Sequence, residues 1–317
     1  LMAELAGRVG TERRLHLLYL LTVADGRATG PAAWTLWKAT LGARLYTRVL
    51  QLLQEGGGAT APERLPARRE EIRAALAGLP RGPVEAHLDG MPPAWLLSQP
   101  IGALVEQSRR MIDFHPGDDA LVHAVQLEQP GLWELTVIAR DRPGLFSRIS
   151  GVLALHDLNV VGAEAYTRAD GVALDVFRVE APSDEPPRFE RLAEDARRAL
   201  RGRISLDLRL AEKRTAQPGG RPAGPPPRVV VDNEASERHS VVEVYATDRI
   251  GLLYTITRAM AELEIDIALA KVSTYGEDVV DVFYVADTTG AKLTNPAYTS
   301  ELQALIAYRV TGGHPGG

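Results

Sequence analysis

A stretch of about forty residues occurs twice in this chain, and the second copy keeps step with the first. Asp141, Gly144, Ile149, Asn159 and Ala163 correspond to Asp248, Gly251, Ile256, Asp266 and Ala270, a constant offset of 107 residues. Asp175-Val176-Phe177 then corresponds to Asp281-Val282-Phe283, one residue closer because a hairpin loop is shorter. Register held that long points to duplication of one supersecondary unit. In the first copy the pattern predicts a strand at residues 135–139 and a loop at 141–145. A helix carrying Leu145, Ile149, Val152 and Leu153 follows, then strands from Leu158 and over 172–179. A helix over 189–200 and a strand over 204–210 are expected to complete a β-α-β-β-α-β order. In the second copy Asn295-Pro296 opens a helix to about Val310, after which the chain ends in Gly and Pro. That copy is therefore expected to lack its last strand and to complete its edge with its partner module.

The half before the repeat reads as helical. Leu15, Leu18 and Leu21, with Tyr19 and Val23 nearby, recur at three- and four-residue spacing and predict one buried face. Asp25-Gly26 interrupts this helix, and Thr29-Gly30-Pro31 reads as the start of a second. The second runs through Trp34, Trp37, Leu41, Leu45, Val49 and Leu52 to Gly56-Gly57-Gly58, with both tryptophans read as core. Residues 66–111 look helical but are broken by Pro80, Pro83, Pro92-Pro93 and Pro100. His115-Pro116-Gly117-Asp118-Asp119 marks the change to strand-like periodicity. Between the copies, residues 212–228 are rich in Pro, Gly and Arg and read as an extended, solvated linker.

Bulk properties narrow the function. A net charge of −5 leaves no basic excess for nucleic acid. The chain has no cysteine, which removes disulfides and thiolate chemistry and fits a cytoplasmic protein. No apolar run approaches the ~20 residues that cross a bilayer, and Leu1-Met2-Ala3-Glu4-Leu5 lacks a signal-peptide pattern. The opening directly in a helical pattern is read as truncation of a longer gene product. There is no glycine-rich phosphate loop with a following lysine, no Gly-x-Gly-x-x-Gly after a strand and no Gly-x-Ser-x-Gly elbow.

The chemistry concentrates in the repeated loops, Asp141-Arg142-Pro143-Gly144-Leu145 and Asp248-Arg249-Ile250-Gly251-Leu252. A glycine between strand and helix lets the backbone approach a ligand closely, and the first-turn N–H groups of the helix suit a carboxylate. For either loop taken alone, a tight turn with a capping Asp is the favoured explanation. Two copies with the same downstream pattern reverse that for the family, though not for ligand occupancy in each copy. Asn159 and Asp266 start the strand after the helix. There they either hold a ligand's ammonium group or serve as turn residues that end the helix. Asp175 and Asp281 lie on the same strand face as the Phe two residues on. A carboxylate on an apolar face needs a partner, and both a domain interface and a buried hydrogen bond fit.

The two copies resemble ACT domains, small ferredoxin-like βαββαβ modules that bind amino acids at the first loop and often pair edge to edge. The preceding half narrows the likeness. Leu20-Leu21-Thr22-Val23-Ala24-Asp25, Ala28-Thr29, Trp34-Thr35-Leu36-Trp37-Lys38-Ala39-Thr40-Leu41 and Leu45-Tyr46 resemble the end of the HD domain of bifunctional PII uridylyltransferase/uridylyl-removing enzymes. Met91-Pro92-Pro93-Ala94-Trp95-Leu96 resembles the lead into that family's first ACT module. The resemblance implies an α+β chain: residues 1–58 the C-terminal part of an HD-type helical domain, 59–130 a helical connector, 131–211 ACT domain 1, 212–236 a linker and 237–317 ACT domain 2. It also implies paired ACT modules that sense glutamine, in an enzyme that adds UMP to the PII signal protein and removes it with Mg²⁺ or another divalent metal. Asp25 matches the last metal ligand of the HD domain. The other ligands and the nucleotidyltransferase motif have no match here, so this chain is expected to bind amino acid without catalysis, cofactor, nucleic acid or membrane.

Two other readings compete. A stand-alone ACT-repeat regulator does not account for the Asp25 segment. The C-terminal part of a guanosine tetraphosphate synthetase/hydrolase is expected to carry a β-rich segment where residues 59–120 read as broken helix, and one ACT module.

Overall fold

The computed structural model describes residues 2–29, 42, 45–46, 49, 61–115, 117, 119–182, 186–216, 226–272, 274–275 and 278–312. The chain forms two compact units, Leu1–Gly78 with Pro93–Leu104 and Leu79–Pro92 with Val105–Gly317. Most of the predicted helix through Trp34 and Trp37, the Gly56–58 stop and residues 217–225 of the expected linker lie outside the described residues.

In the first unit, α1 (Met2–Val9) and α2 (Glu12–Thr29) enclose a small core of Ala6, Val9, Leu15 and Val49. Only Leu15 of the predicted stripe is buried, whereas Leu18 is 49% and Leu21 66% exposed. Leucines lie all round this helix and only one side meets α1, so spacing alone chose the wrong face. Nor does Asp25-Gly26 break the helix. α2 continues through it, and the Asp25 carbonyl accepts from Thr29 Oγ1 at 2.8 Å. α3 (Ala61–Ala75) and α5 (Pro93–Leu96) are tied by Arg68, whose Nε donates to Leu96 O at 3.0 Å.

The second unit begins with α4 (Arg81–Gly90), and α6 (Ile101–Asp113) contributes its later turns. Pro80, Pro92-Pro93 and Pro100 separate the helices as predicted, because each removes an N–H and restricts the residue before it. Pro83 instead lies inside the first turn of α4, where its missing N–H breaks no helical bond. His87 Nε2 lies 3.1 Å from Ser108 Oγ, and Arg168 donates to Met111 O at 3.0 Å.

The rest of this unit is one antiparallel sheet with helices on it. Its first half holds β1 (Ala120–Gln126), β2 (Leu132–Arg140), β3 (Asn159–Thr167) and β4 (Val172–Glu180) in the order β1-β2-β4-β3. α7 (Leu145–Leu155) and α8 (Phe189–Leu200) cover it, and α9 (Leu206–Ala216) follows. The second half holds β5 (Arg228–Asp232), β6 (Ser240–Thr247), β7 (Asp266–Lys271), β8 (Thr274–Tyr275) and β9 (Asp278–Ala286), with α10 (Leu252–Glu262) and α11 (Pro296–Val310). Its order is β7-β9-β6-β5, with β8 paired to β9, so the halves mirror one another about the β3–β7 junction.

Two expectations need correction here. Residues 206–216 form a helix rather than the predicted strand, since Leu206, Leu210, Lys213 and Arg214 fall at helical spacing and Leu206 and Leu210 are buried. The edge strand of each half comes instead from before its first central strand: β1 out of the expected connector and β5 out of the expected linker. The second half therefore does have its fourth strand, and each half runs β-β-α-β-β-α. Permuting one strand from end to beginning preserves the sheet's neighbours, so each half keeps an ACT-like sheet order.

The duplication extends to fine irregularities. Gly144 and Gly251 both sit at positive φ, +77° and +76°, the left-handed region open to glycine. Asp157 and Glu264 both turn through positive φ at the ends of α7 and α10. Both copies carry a bulge, between Val160 and Gly162 and between Ile267 and Leu269.

Candidate amino-acid site

β2 delivers the first loop to the start of α7. The Asp141 N–H donates to Gly171 O at 3.0 Å and its Oδ2 accepts from Thr167 Oγ1 at 3.0 Å, so the carboxylate is aimed by β3's end. Gly144 caps α7, and the Arg148 N–H donates back to its carbonyl at 3.0 Å. Leu145 is buried and anchors the turn, Arg142 is half-buried and Pro143 is exposed. Burial lowers the Arg142 pKa, and the Arg148 charge lowers it further.

Beneath the loop lies Asp175 of β4. Phe177, two residues along the same face, packs against Phe146 of α7 at 4.9 Å between ring centres. Asp175 is thus enclosed under the helix start, and its Oδ2 makes no hydrogen bond among the described residues. Burial, and then the Asp141 carboxylate, push its pKa up to about 8. The carboxyl is protonated at neutral pH, the usual escape for a buried acid without a cation.

The second half contributes to this same place. A Cβ built on Gly144 would stand 3.7 Å from the Ala261 Cβ at the end of α10. Asp266 opens the next strand, and its pKa is raised by burial, then by Asp141 and Asp287. Of the predicted residues, Asp141, Gly144 and Asp266 therefore converge across the junction, and Asp175 joins them. Asn159 does not join this group: it is exposed and its Nδ2 donates to Glu180 Oε2 at 3.3 Å.

The second loop has the same backbone with different surroundings. Gly251 caps α10, with the Thr255 N–H donating to its carbonyl at 2.9 Å, and Leu252 anchors the turn. Arg249 Nη2 donates to Arg309 O at 3.2 Å, and burial followed by the Arg214 charge lowers its pKa. Asp248 and Ile250 are half-buried and Asp281 is buried. Here Gly251 is buried whereas Gly144 is half-exposed, and its nearest neighbours are Leu210 and Arg214 of α9. Sequence reasoning missed this helix because residues 206–210 were assigned to a strand.

Asp25 stands apart, on the first unit. Among the described residues no group of three His, Cys, Asp or Glu side chains could hold a metal ion. No helix among them is long and apolar enough to cross a membrane.

Known families agree with the two halves. Residues 133–196 match the ACT domain, and 228–311 match the ACR9-like, ACT-like domain, a match that starts on β5. The chain is also similar almost end to end to bifunctional uridylyltransferase/uridylyl-removing enzymes. That of Gluconobacter oxydans is 38% identical over 322 residues, 97% of this chain and 33% of that protein. Those of Rhodospirillum rubrum and Azospirillum brasilense are 37% and 36% identical over 97% and 95% of the chain. The chain is related to this family through that shared stretch. It spans about a third of the length of these relatives and corresponds to their C-terminal part.

Proposed function

We propose that this chain is the amino-acid-sensing part of a uridylyltransferase/uridylyl-removing enzyme acting on the PII signal protein, and that its effector is glutamine. The observation that carries the reading is the convergence of Asp141, Gly144 and buried Asp175 from one ACT module with Asp266 from the other. A free amino acid matches that set. Its carboxylate suits the first-turn N–H groups of α7 beside Gly144, and its ammonium suits the carboxylates of Asp141 and Asp266. The neutral carboxyl of Asp175 has one donor and one acceptor. That is complementary to a side-chain amide, which favours glutamine over glutamate.

Because the place draws on both modules, ligand affinity depends on their relative arrangement. Glutamine shifts that arrangement only by its differential affinity for the alternatives, and the shift would bias the parent enzyme between adding and removing UMP. The chain itself would bind without catalysis. Calorimetric titration with L-glutamine, run beside L-glutamate, tests the binding step. Heat with glutamine and markedly weaker binding of glutamate are expected. Absence of both heat and thermal shift at millimolar glutamine, in folded protein, would overturn the reading.

A further inference from the structure

We infer that α9 is a built-in occupant of the second module's amino-acid place, so that the paired modules offer one ligand place, at Gly144, and not two. The inference rests on the sensor reading above and goes beyond it. The repeat relates the two places: Gly144 corresponds to Gly251, and Ala261 to Ala154. At the first, a Cβ on Gly144 would meet Ser147 Oγ of its own helix at 3.4 Å and the Ala261 Cβ across the junction at 3.7 Å. At the second, α9 stands between the corresponding parts. A Cβ on Gly251 would meet Leu210 Cδ1 at 3.3 Å and Arg214 Nη1 at 3.7 Å. Lys213 Nζ donates to Ala154 O at 2.9 Å and Leu155 O at 2.7 Å, and pairs with Asp157 at 2.8 Å.

The contacts fill the space that a ligand would need. Lys213 brings an ammonium group to the carbonyl end of α7, where cations are favoured. Leu210, fully buried, takes the close approach to glycine that a ligand would need. The seat is specified in sequence where the copies differ. Gly151 of α7 leaves room for Leu206, whose Cδ1 would be 2.9 Å from a Cβ there. Its counterpart in α10 is Arg258, which pairs with Asp207 of α9, and Tyr254 Oη donates to the same Asp207 at 3.2 Å. Leu206, Asp207, Leu210, Lys213 and Arg214 lie on one helical face, so a single helix makes every contact.

The test is the stoichiometry of L-glutamine binding to the full chain and to Leu210→Gly/Lys213→Ala, with hydrogen exchange followed at the α9 amides. One equivalent for the native chain, two for the variant, and α9 protection unchanged by glutamine in the native chain are expected. Two equivalents for the native chain, or α9 amides that lose protection as glutamine is added, overturn the inference. So does a folded variant that still takes one equivalent. No binding by the native chain with one equivalent in the variant keeps the occupant and overturns the Gly144 place, while no binding by either overturns both. Should Leu210→Gly fail to fold, Lys213→Ala/Arg214→Ala retains Leu210 and answers the same question, with a second, weaker equivalent expected.

Discussion

Ala163 pairs with Ala270 across the junction of β3 and β7, and each is the other's counterpart under the repeat. An antiparallel pair between equivalent residues is the signature of a two-fold axis, so the chain builds within itself the isologous contact of a symmetric dimer. Both alanines are buried, at 3% and 1% exposure. Small side chains let the two helix-covered faces run on as one core, and the module pairing is part of the fold.

Ala270→Arg should therefore destabilise the whole second unit. Overfilling a packed core costs about 1–3 kcal/mol, and burying a guanidinium adds to that. Thermal unfolding of the variant should show a lowered Tm, with both modules melting together. Two separated transitions, with one unmoved, would show that the modules are independent.

Asp175 predicts a pH dependence. Its folded pKa, about 8, lies above the ordinary 3.8, so the folded state binds the proton more tightly. Its contribution is complete below about pH 4 and is lost as pH rises through 8. Asp175→Asn should match the native protein in urea midpoint at about pH 4 or below and exceed it increasingly toward pH 9. A midpoint difference that is constant with pH would contradict an uncharged, enclosed Asp175.

His87 acts in the opposite sense. Burial, then Arg168, lower its pKa from 6.5 to about 4, so its contribution is present above 6.5 and lost as pH falls toward 4. At 1.36 kcal/mol per pH unit the loss is on the order of 3 kcal/mol. His87→Gln, which does not titrate, should flatten the fall in denaturant midpoint between pH 7 and pH 4. An unchanged fall would place the acid sensitivity elsewhere.

Gly144→Val and Gly251→Val both force a β-branched residue to positive φ, and each should cost at least about 1–2 kcal/mol. Gly251→Val should cost more, because Gly251 is buried with Leu210 and Arg214 at 3.3 to 3.7 Å from its Cβ, whereas the half-exposed Gly144 meets only Ser147 Oγ at 3.4 Å and Ala261 at 3.7 Å. Denaturant titration of the pair checks the order, and equal midpoints would count against close packing of α9.

Much of this was legible in the sequence, and the parts that were not have physical reasons. The central strands, α7, α10, α11 and both glycine loops were read correctly because alternation, 3.6-residue spacing and Asn295-Pro296 are local signals. The edge strands β1 and β5 were not, since a short half-buried strand has weak alternation and its place is set by its neighbour. Leu206 to Leu210 alternates apolar and polar like a strand, and only the seat offered by Gly151, Tyr254 and Arg258 makes it a helix. Asp141 and Asp266 were each identified, but in separate modules. Their convergence depends on the β3–β7 register, which no local pattern encodes.

That convergence is open to direct measurement by a double-mutant cycle in L-glutamine affinity, with the native chain, Asp141→Ala, Asp266→Ala and the double variant. If one ligand is held by both modules, each single change should weaken binding at least tenfold, about 1.4 kcal/mol, and the double should fall short of the sum. Native affinity in Asp266→Ala, with binding lost only in Asp141→Ala, would contradict a shared place and confine the site to the first module.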